Sequence, residues 1–336
     1  MREKPSRVEP LTFTPVLRDY IWGGRNLETL YGRQLPPGPT AESWEISGHP
    51  TAPTCVDAGR WRGQSLPEVL HALGVDLAGR RATWALARGK FPLLVKLLDA
   101  QARLSVQVHP SDAYALAHAG GELGKTEMWY ILHARPGAQL ILGLRPGVTP
   151  QSFRQALADN RLETCLHYLP VQAGNAVFVA AGTLHAILEG IVAVEVQQNS
   201  DTTYRVYDWG RLGQDGQPRP LHVKHALDVI DFKQVEPGPC LPRQLACQDG
   251  VERHEISRSE YFVVEKVTFA PGAGYAGQTN GATLEIWGTV EGESELNWAG
   301  QPVPLPAIRF CLVPARLGDF AVQATTPATM LRVYLP

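Results

Sequence analysis

Three polar clusters interrupt apolar, strand-like stretches of this 336-residue chain, and each carries side chains that bind metals or move protons. The first is Ser105-Val106-Gln107-Val108-His109-Pro110. In an extended strand successive side chains alternate, so Ser105, Gln107 and His109 share one face and the two valines the other. The second is Lys125-Thr126-Glu127, immediately before the apolar run Met128–Leu132, with Lys125 and Glu127 on a common face. The third is Gly182-Thr183-Leu184-His185. Taken alone, any one of the ten histidines is most simply a hydrogen-bonded polar residue within a core. Three clusters with the same inward-facing pattern point instead to a shared ligand. Two imidazoles and a carboxylate (His109, His185, Glu127), with the Gln107 carbonyl available, suit Zn²⁺, Fe²⁺ or Mn²⁺, and Zn²⁺ binds such donors most tightly of the three. A fourth segment, Glu195–Arg211, is dense in hydrogen-bonding groups and carries Arg205 and Arg211, whose guanidinium forks match carboxylates and phosphates. His118, His133 and His167 have no polar partners in sequence and receive no role. His222 and His225, flanking Lys224, read as a solvated face rather than a second metal site.

The elements expected to hold these residues are mostly strands. Phe91–Leu98, Met128–Leu132, Gln139–Leu142, Val177–Ala180 and Ile191–Val196 are short, rich in branched or aromatic residues, and bounded by turn formers. Helix signals are local: Thr149-Pro150 as cap and first helical residue, Pro67–Leu73, and Ser111 through Ala119. Many short strands with few helices predict a mainly β fold, a β-sandwich or jelly roll with helical decoration. The apolar stretch Ala176–Val194 carries His185 and Glu189, which are expensive inside a bilayer, so buried strands around a Glu-Gly turn are expected there. The Pro- and Gly-rich run Lys233–Arg243 predicts a boundary, dividing residues 1–235 from 236–336. Phe310–Phe320 echoes Ala176–Ala186, with Val313 on Val179 and Asp319 opposite His185, which suggests two copies of one sandwich.

Composition narrows the function classes. Thirty-one Lys+Arg balance 33 Asp+Glu, with no basic cluster, which argues against nucleic-acid or membrane-surface partners. Five scattered cysteines without a CxxC offer neither a disulfide framework nor a Cys-based zinc site, and a cytoplasmic setting is expected. The N-terminus has no apolar run of signal-peptide type.

In order, Asp19–Gly24 (DYIWGG), Glu42–Pro50 (ESWEISGHP), Phe91–Ala100, Leu104–Ala115, Gly124–Leu132, Ala181–Ile187 and Val196–Arg211 resemble the type I mannose-6-phosphate isomerases, particularly their short bacterial form. The resemblance is dense over residues 13–232 and loose beyond. It implies cupin-type jelly rolls, one Zn²⁺ held by Gln107, His109, Glu127 and His185, a catalytic Arg205, and active-site positions at Lys125, Glu195 and Asp201. The implied substrate is a small-molecule sugar phosphate, mannose 6-phosphate, interconverted with fructose 6-phosphate through a cis-enediol. Asp201, Glu195, His49 and Lys125 are candidates to carry the proton. Ser105, Trp22, His49 and Arg211 are candidates to bind substrate, and Trp44 to line the sugar pocket. Ala180 and Asn175 stand where the family commonly has Pro and Asp, and the C-terminal part lacks the ligand set, so no metal is expected there. Two other readings share the residues: a sugar-phosphate-binding cupin without catalysis, and an Fe²⁺ oxygenase using the two-His, one-carboxylate triad.

Overall fold

The computed structural model describes residues 8–213 and 216–336. It is mainly β, with two two-sheet sandwiches of cupin type. In the first, six strands run in the order Ala176–Val179, Glu127–Ala134, Ile191–Gln198, Leu93–Ala100, Glu42–Ser47, Val16–Arg18. The facing sheet is ordered Tyr204–Tyr207, Val106–Val108, His185–Ile187, Gln139–Leu144, Leu166–Pro170. Leu98, Trp129, Val177 and Ala193 from one sheet pack with Leu140, Leu142, Leu169 and Ile187 from the other, giving a shared apolar core. The other face of the five-stranded sheet is covered by helices Pro150–Ala158 and Val223–Val229 through Phe153, Ala156 and Ala226.

Local signals explain the helices. Thr149 caps Pro150–Ala158, accepting from the Ser152 amide at 3.1 Å, with Pro150 at the first position where its missing N–H costs nothing. Leu66–Leu73 starts with a capping box between Ser65 and Glu68, and Ser111 caps Asp112–His118. The stretch Ala176–Val194 is three strands in place of a helix, with the Glu189-Gly190 turn joining the last two. Among the described residues no helix is long and apolar enough to cross a membrane.

The second sandwich repeats the strand order of the first, without a counterpart of the edge strand Tyr204–Tyr207. Its six-stranded sheet is ordered Arg243–Gln248, Val251–Arg258, Val263–Phe269, Ala328–Tyr334, Glu285–Glu291, Arg309–Val313. Its four-stranded sheet is ordered Gly274–Thr279, Gly318–Ala324, Glu293–Asn297, Val303–Pro306. Arg309–Val313 and Ala176–Val179 thus hold the same edge position, as the sequence echo suggests. The echo slips by one residue further on. Asp319 is exposed and bonded to Gln278, while Phe320 is buried and faces Trp287 as His185 faces Trp129. A one-residue shift turns a strand's side chains to the other face, so the interior counterpart of His185 is Phe320. Phe320 pairs with Gly277, as His185 pairs with Gln107. A Cβ on Gly277 would lie 2.3 Å from the Phe320 ring, so glycine is required by that close approach.

Contacts divide the chain into two compact units that differ from the division read from the linker. One comprises Leu17–Ser43 and Lys96–Cys240. The other comprises the N-terminal residues through Val16, Trp44–Val95 and Leu241–Pro336. The boundary moves from 235/236 to Cys240/Leu241, and the C-terminal unit gains the Trp44–Val95 segment. The cause is backbone pairing: the Arg80 and Arg81 amides donate to Gly281 and Ala282 carbonyls, and the Ala315 amide donates to Leu77.

Candidate active site and metal centre

His109, Glu127 and His185 converge, with one potential ligand atom from each lying within 4.8 Å of the others. They arrive from three places. His109 follows the Val106–Val108 strand, Glu127 opens Glu127–Ala134, and His185 opens His185–Ile187. Gly182 (φ 89°) makes the turn before His185, and its amide donates to the His109 carbonyl at 2.9 Å, locking the two segments together. Each imidazole has its Nδ1 directed to a backbone carbonyl, Thr202 for His109 (2.9 Å) and Thr183 for His185 (2.8 Å). With Nδ1–H donated outward, both Nε2 lone pairs face the Glu127 carboxylate, at 3.5 and 3.4 Å. The Gln107 amide lies 3.3 Å from His185 Nε2, and half a turn of that amide presents its carbonyl oxygen there.

The donor set fits a cation. All three side chains are fully buried, yet neither Glu127 oxygen accepts a hydrogen bond of good geometry. Orphaned carboxylate oxygens in a core are costly unless a charge answers them. The Lys125 ammonium, 2.8 Å from one oxygen and 3.0 Å from His109 Nε2, supplies part of that charge. Burial pushes His109 down to about 3, with Lys125 adding to the effect, and burial also lowers His185. Both rings are therefore neutral, the form that ligates metals. Burial alone would raise Glu127, but the neighbouring Lys125 ammonium holds its carboxyl well below the usual range.

Beside this trio lies a cavity of about 290 Å³. Trp22, Ser105, Gln107, Lys125, Glu195, Asp201 and Arg205 all line it, together with Tyr20, Glu42, Lys96, Thr203 and Arg219. Glu195 is buried, accepts from Trp129 Nε1 at 2.9 Å, and lies 3.5 Å from Lys96 and 3.9 Å from Lys125. Burial and the neighbouring Glu127 raise its pKa against the pull of the two lysines. Lys96 stays charged despite complete burial because Glu42 and Glu195 each approach to 3.5 Å. Arg205 donates from Nε to Ser105 Oγ (3.2 Å) and from Nη1 to the Pro220 carbonyl (2.9 Å).

Three sequence candidates do not line the cavity. His49 is buried against Trp44, with its ring nitrogen 2.8 Å from Thr51 Oγ1. Trp44 packs with Ala52 and Leu94. Arg211 binds Asp208 and the Arg103 carbonyl. Glu42, Lys96 and Arg219 carried no assignment from sequence, although Lys96 stands out as a charge within the apolar run Phe91–Leu98. Asn175, in place of the family's Asp, accepts from the Gln172 amide at 3.0 Å and keeps the turn.

A family model described as the type I phosphomannose isomerase catalytic domain matches residues 11–128. A mannose-6-phosphate isomerase of Streptococcus mutans is 41% identical over 258 residues, covering 77% of this chain and 78% of its own. The chain belongs to the type I phosphomannose isomerases. A Bacillus subtilis mannose-6-phosphate isomerase is 34% identical over 332 residues, spanning 94% of this chain and 96% of its own. The crystal structure of the Bacillus subtilis mannose 6-phosphate isomerase superposes with a TM-score of 0.86 at 32% identity, covering 97% of this chain and 99% of that one. At 17% identity, a mutant of the Salmonella typhimurium phosphomannose isomerase shares the fold with a TM-score of 0.78, over 98% of this chain and all of that one.

Proposed function

We propose that this chain is a Zn²⁺-dependent isomerase interconverting mannose 6-phosphate and fructose 6-phosphate through a cis-enediol. The observation that carries the reading is the buried His109–Glu127–His185 trio, with its orphaned carboxylate, opening beside a cavity that holds both acid–base groups and arginines. His109, Glu127 and His185, with Gln107, would hold the ion. When bound, Zn²⁺ would supply Lewis-acid polarisation of a substrate oxygen.

The chain's own groups account for the rest of the reaction. An aldose becomes a ketose when the C2 proton is removed, a proton reaches the C1 oxygen, and the enediol then takes a proton at C1 while its C2 hydroxyl gives one up. Glu195 suits the carbon-bound proton: burial raises its affinity for a proton toward the working pH, and Trp129 fixes its position. Lys125 neutralises negative charge that develops on the reacting oxygens. Asp201, exposed at the cavity, is a second acid–base group. Arg205 is held in place by Ser105 and the Pro220 carbonyl, which leaves donors for the substrate. Trp22 and Tyr20, with rings 5.9 Å apart, form an apolar wall for the sugar carbons.

The test is conversion of mannose 6-phosphate by the purified protein, after chelation and after return of Zn²⁺. Turnover that vanishes on chelation and returns with one equivalent of Zn²⁺ is expected. Binding of the sugar phosphate without turnover by the zinc-loaded protein would establish the non-catalytic reading instead. Stoichiometric iron with oxygen uptake would establish the oxygenase.

A further inference from the structure

His222, which reads from sequence as part of a solvated face, is half-buried and folded against the backbone of Arg205. Tyr204–Tyr207 is the edge strand of its sheet and pairs on one side with Val106–Val108. The segment 219–222 lies along the open side. There the His222 amide donates to the Arg205 carbonyl at 2.7 Å, and the Arg205 amide donates to His222 Nδ1 at 3.2 Å. The Arg205 guanidinium donates to the Pro220 carbonyl at 2.9 Å. In the second of these bonds a ring nitrogen takes the place that a carbonyl of a neighbouring strand would fill. The segment is itself fixed at both ends. Arg219 is tied to Asp208 from Nε to Oδ2 at 2.7 Å. After His222 the chain enters helix Val223–Val229, whose Ala226 is buried against the sheet and whose Ala226 amide bonds the His222 carbonyl at 2.9 Å. His222 is the N-cap of that helix, a position where Ser, Thr, Asp or Asn would cap the first amides, yet its ring makes no capping bond. The ring is committed to Arg205 instead. Its Nδ1 accepts only when the imidazole is neutral with the proton on Nε2. Burial, with Arg205 and His225 adding to it, lowers the His222 pKa and favours that neutral form.

We propose that His222 is a positioning residue for Arg205: its imidazole clamps the Arg205 backbone on the open edge of the sheet and so aims the guanidinium into the cavity. The inference rests on the isomerase reading of that cavity, in which Arg205 meets the substrate, and adds to it a residue outside the cavity lining. Without an acceptor the Arg205 amide is left to water, and an edge strand held on one side only opens more readily. The guanidinium is carried on the clamped backbone, so a shift there displaces it, and a misplacement of about 1 Å costs up to about 10² in rate.

The test is a double-mutant cycle on the zinc-loaded protein, with kcat/KM for mannose 6-phosphate measured in wild type, His222→Ala, Arg205→Ala and the double variant. His222→Ala alone is expected to lower kcat/KM about 10-fold, and to change it less than about 2-fold once Arg205 is Ala, because no guanidinium is then left to aim. Equal losses in both backgrounds would make His222 a general support of the fold and overturn the proposal. Undiminished activity in His222→Ala would overturn it too. Nitrogen NMR of the wild-type histidines gives a readout that needs no turnover, with His222 assigned by its absence from the variant. An unprotonated Nδ1 is expected, together with an Arg205 amide that exchanges about 10-fold more slowly in wild type than in His222→Ala. A proton on Nδ1, or equal exchange in the two proteins, would overturn the clamp. If wild type fails to isomerise while both signatures hold, the isomerase reading falls and the clamp on Arg205 stands.

Discussion

Replacing Arg205 by Ala removes the guanidinium that Ser105 and Pro220 hold in the cavity, and turnover is expected to fall by about 10²–10³. Metal content, measured by atomic emission, should stay at the wild-type level. His185→Ala behaves differently: it deletes a ligand, so bound zinc should drop below stoichiometric, and retention of one equivalent would refute the ligand set. Protonation gives a third check. His109 has a folded pKa of about 3 against 6.5 unfolded, because burial excludes its charge. As pH falls below 6.5 the unfolded ring takes a proton that the folded ring refuses, so stability of the chelated protein declines. At pH 5.5 that contributes about 1.4 kcal/mol, with His185 acting in the same direction. Urea midpoints of the metal-free protein at pH 7.5 and 5.5 measure it, and an equal or higher midpoint at 5.5 would contradict it. The trio was legible in the sequence because each member is a polar residue set into an apolar strand with a definite alternation. Glu42 and Lys96 carry the same kind of signal, but their meaning depends on a partner 54 residues away. Arg219 and Asp208 were not legible at all, since loop packing and not periodicity brings them together.

At the scale of elements, the turn at Gly182 does the most to connect chemistry to fold. Its φ of 89° is open to glycine, and a Cβ there would lie 2.9 Å from the Val229 carbonyl. Gly182→Ala is therefore expected to cost about 1–3 kcal/mol and to weaken zinc binding, because the turn sets both His109 and His185. Thermal unfolding together with a competitive zinc titration would check both parts, and wild-type affinity would show that the turn does not set the ligands. Strand and helix positions follow from local signals, as the Thr149 and Ser111 caps illustrate. Register does not: aligning Asp319 with His185 respects residue order, yet the strand face places Phe320 there. Only pairing with Gly277 reveals the difference.

For the whole molecule, the linker composition located one edge of the division but not the second visit of the chain to the C-terminal unit, which depends on pairings between residues some 200 positions apart. That unit has its own buried charges. Arg332 bonds Glu285 at 2.8 Å and lies 3.5 Å from Glu265, while Arg253 reaches Glu265 at 2.9 Å. Arg332→Met would leave two carboxylates buried with one cation, costing about 3–5 kcal/mol. Calorimetry would show a lowered transition, and an unchanged one would mean that the pair contributes nothing.

These charges invert those of the first sandwich. Glu42, Lys96 and Glu195 read acid, base, acid across three adjacent strands. Arg253, Glu265 and Arg332 read base, acid, base across the equivalent three. A chain with two copies of one topology risks pairing a strand with the wrong copy during folding. Exchange of the Leu93–Ala100 and Val263–Phe269 strands would set Lys96 between arginines and Glu265 between glutamates. Opposite polarity thus penalises that exchange, which would set like charges side by side in both sheets.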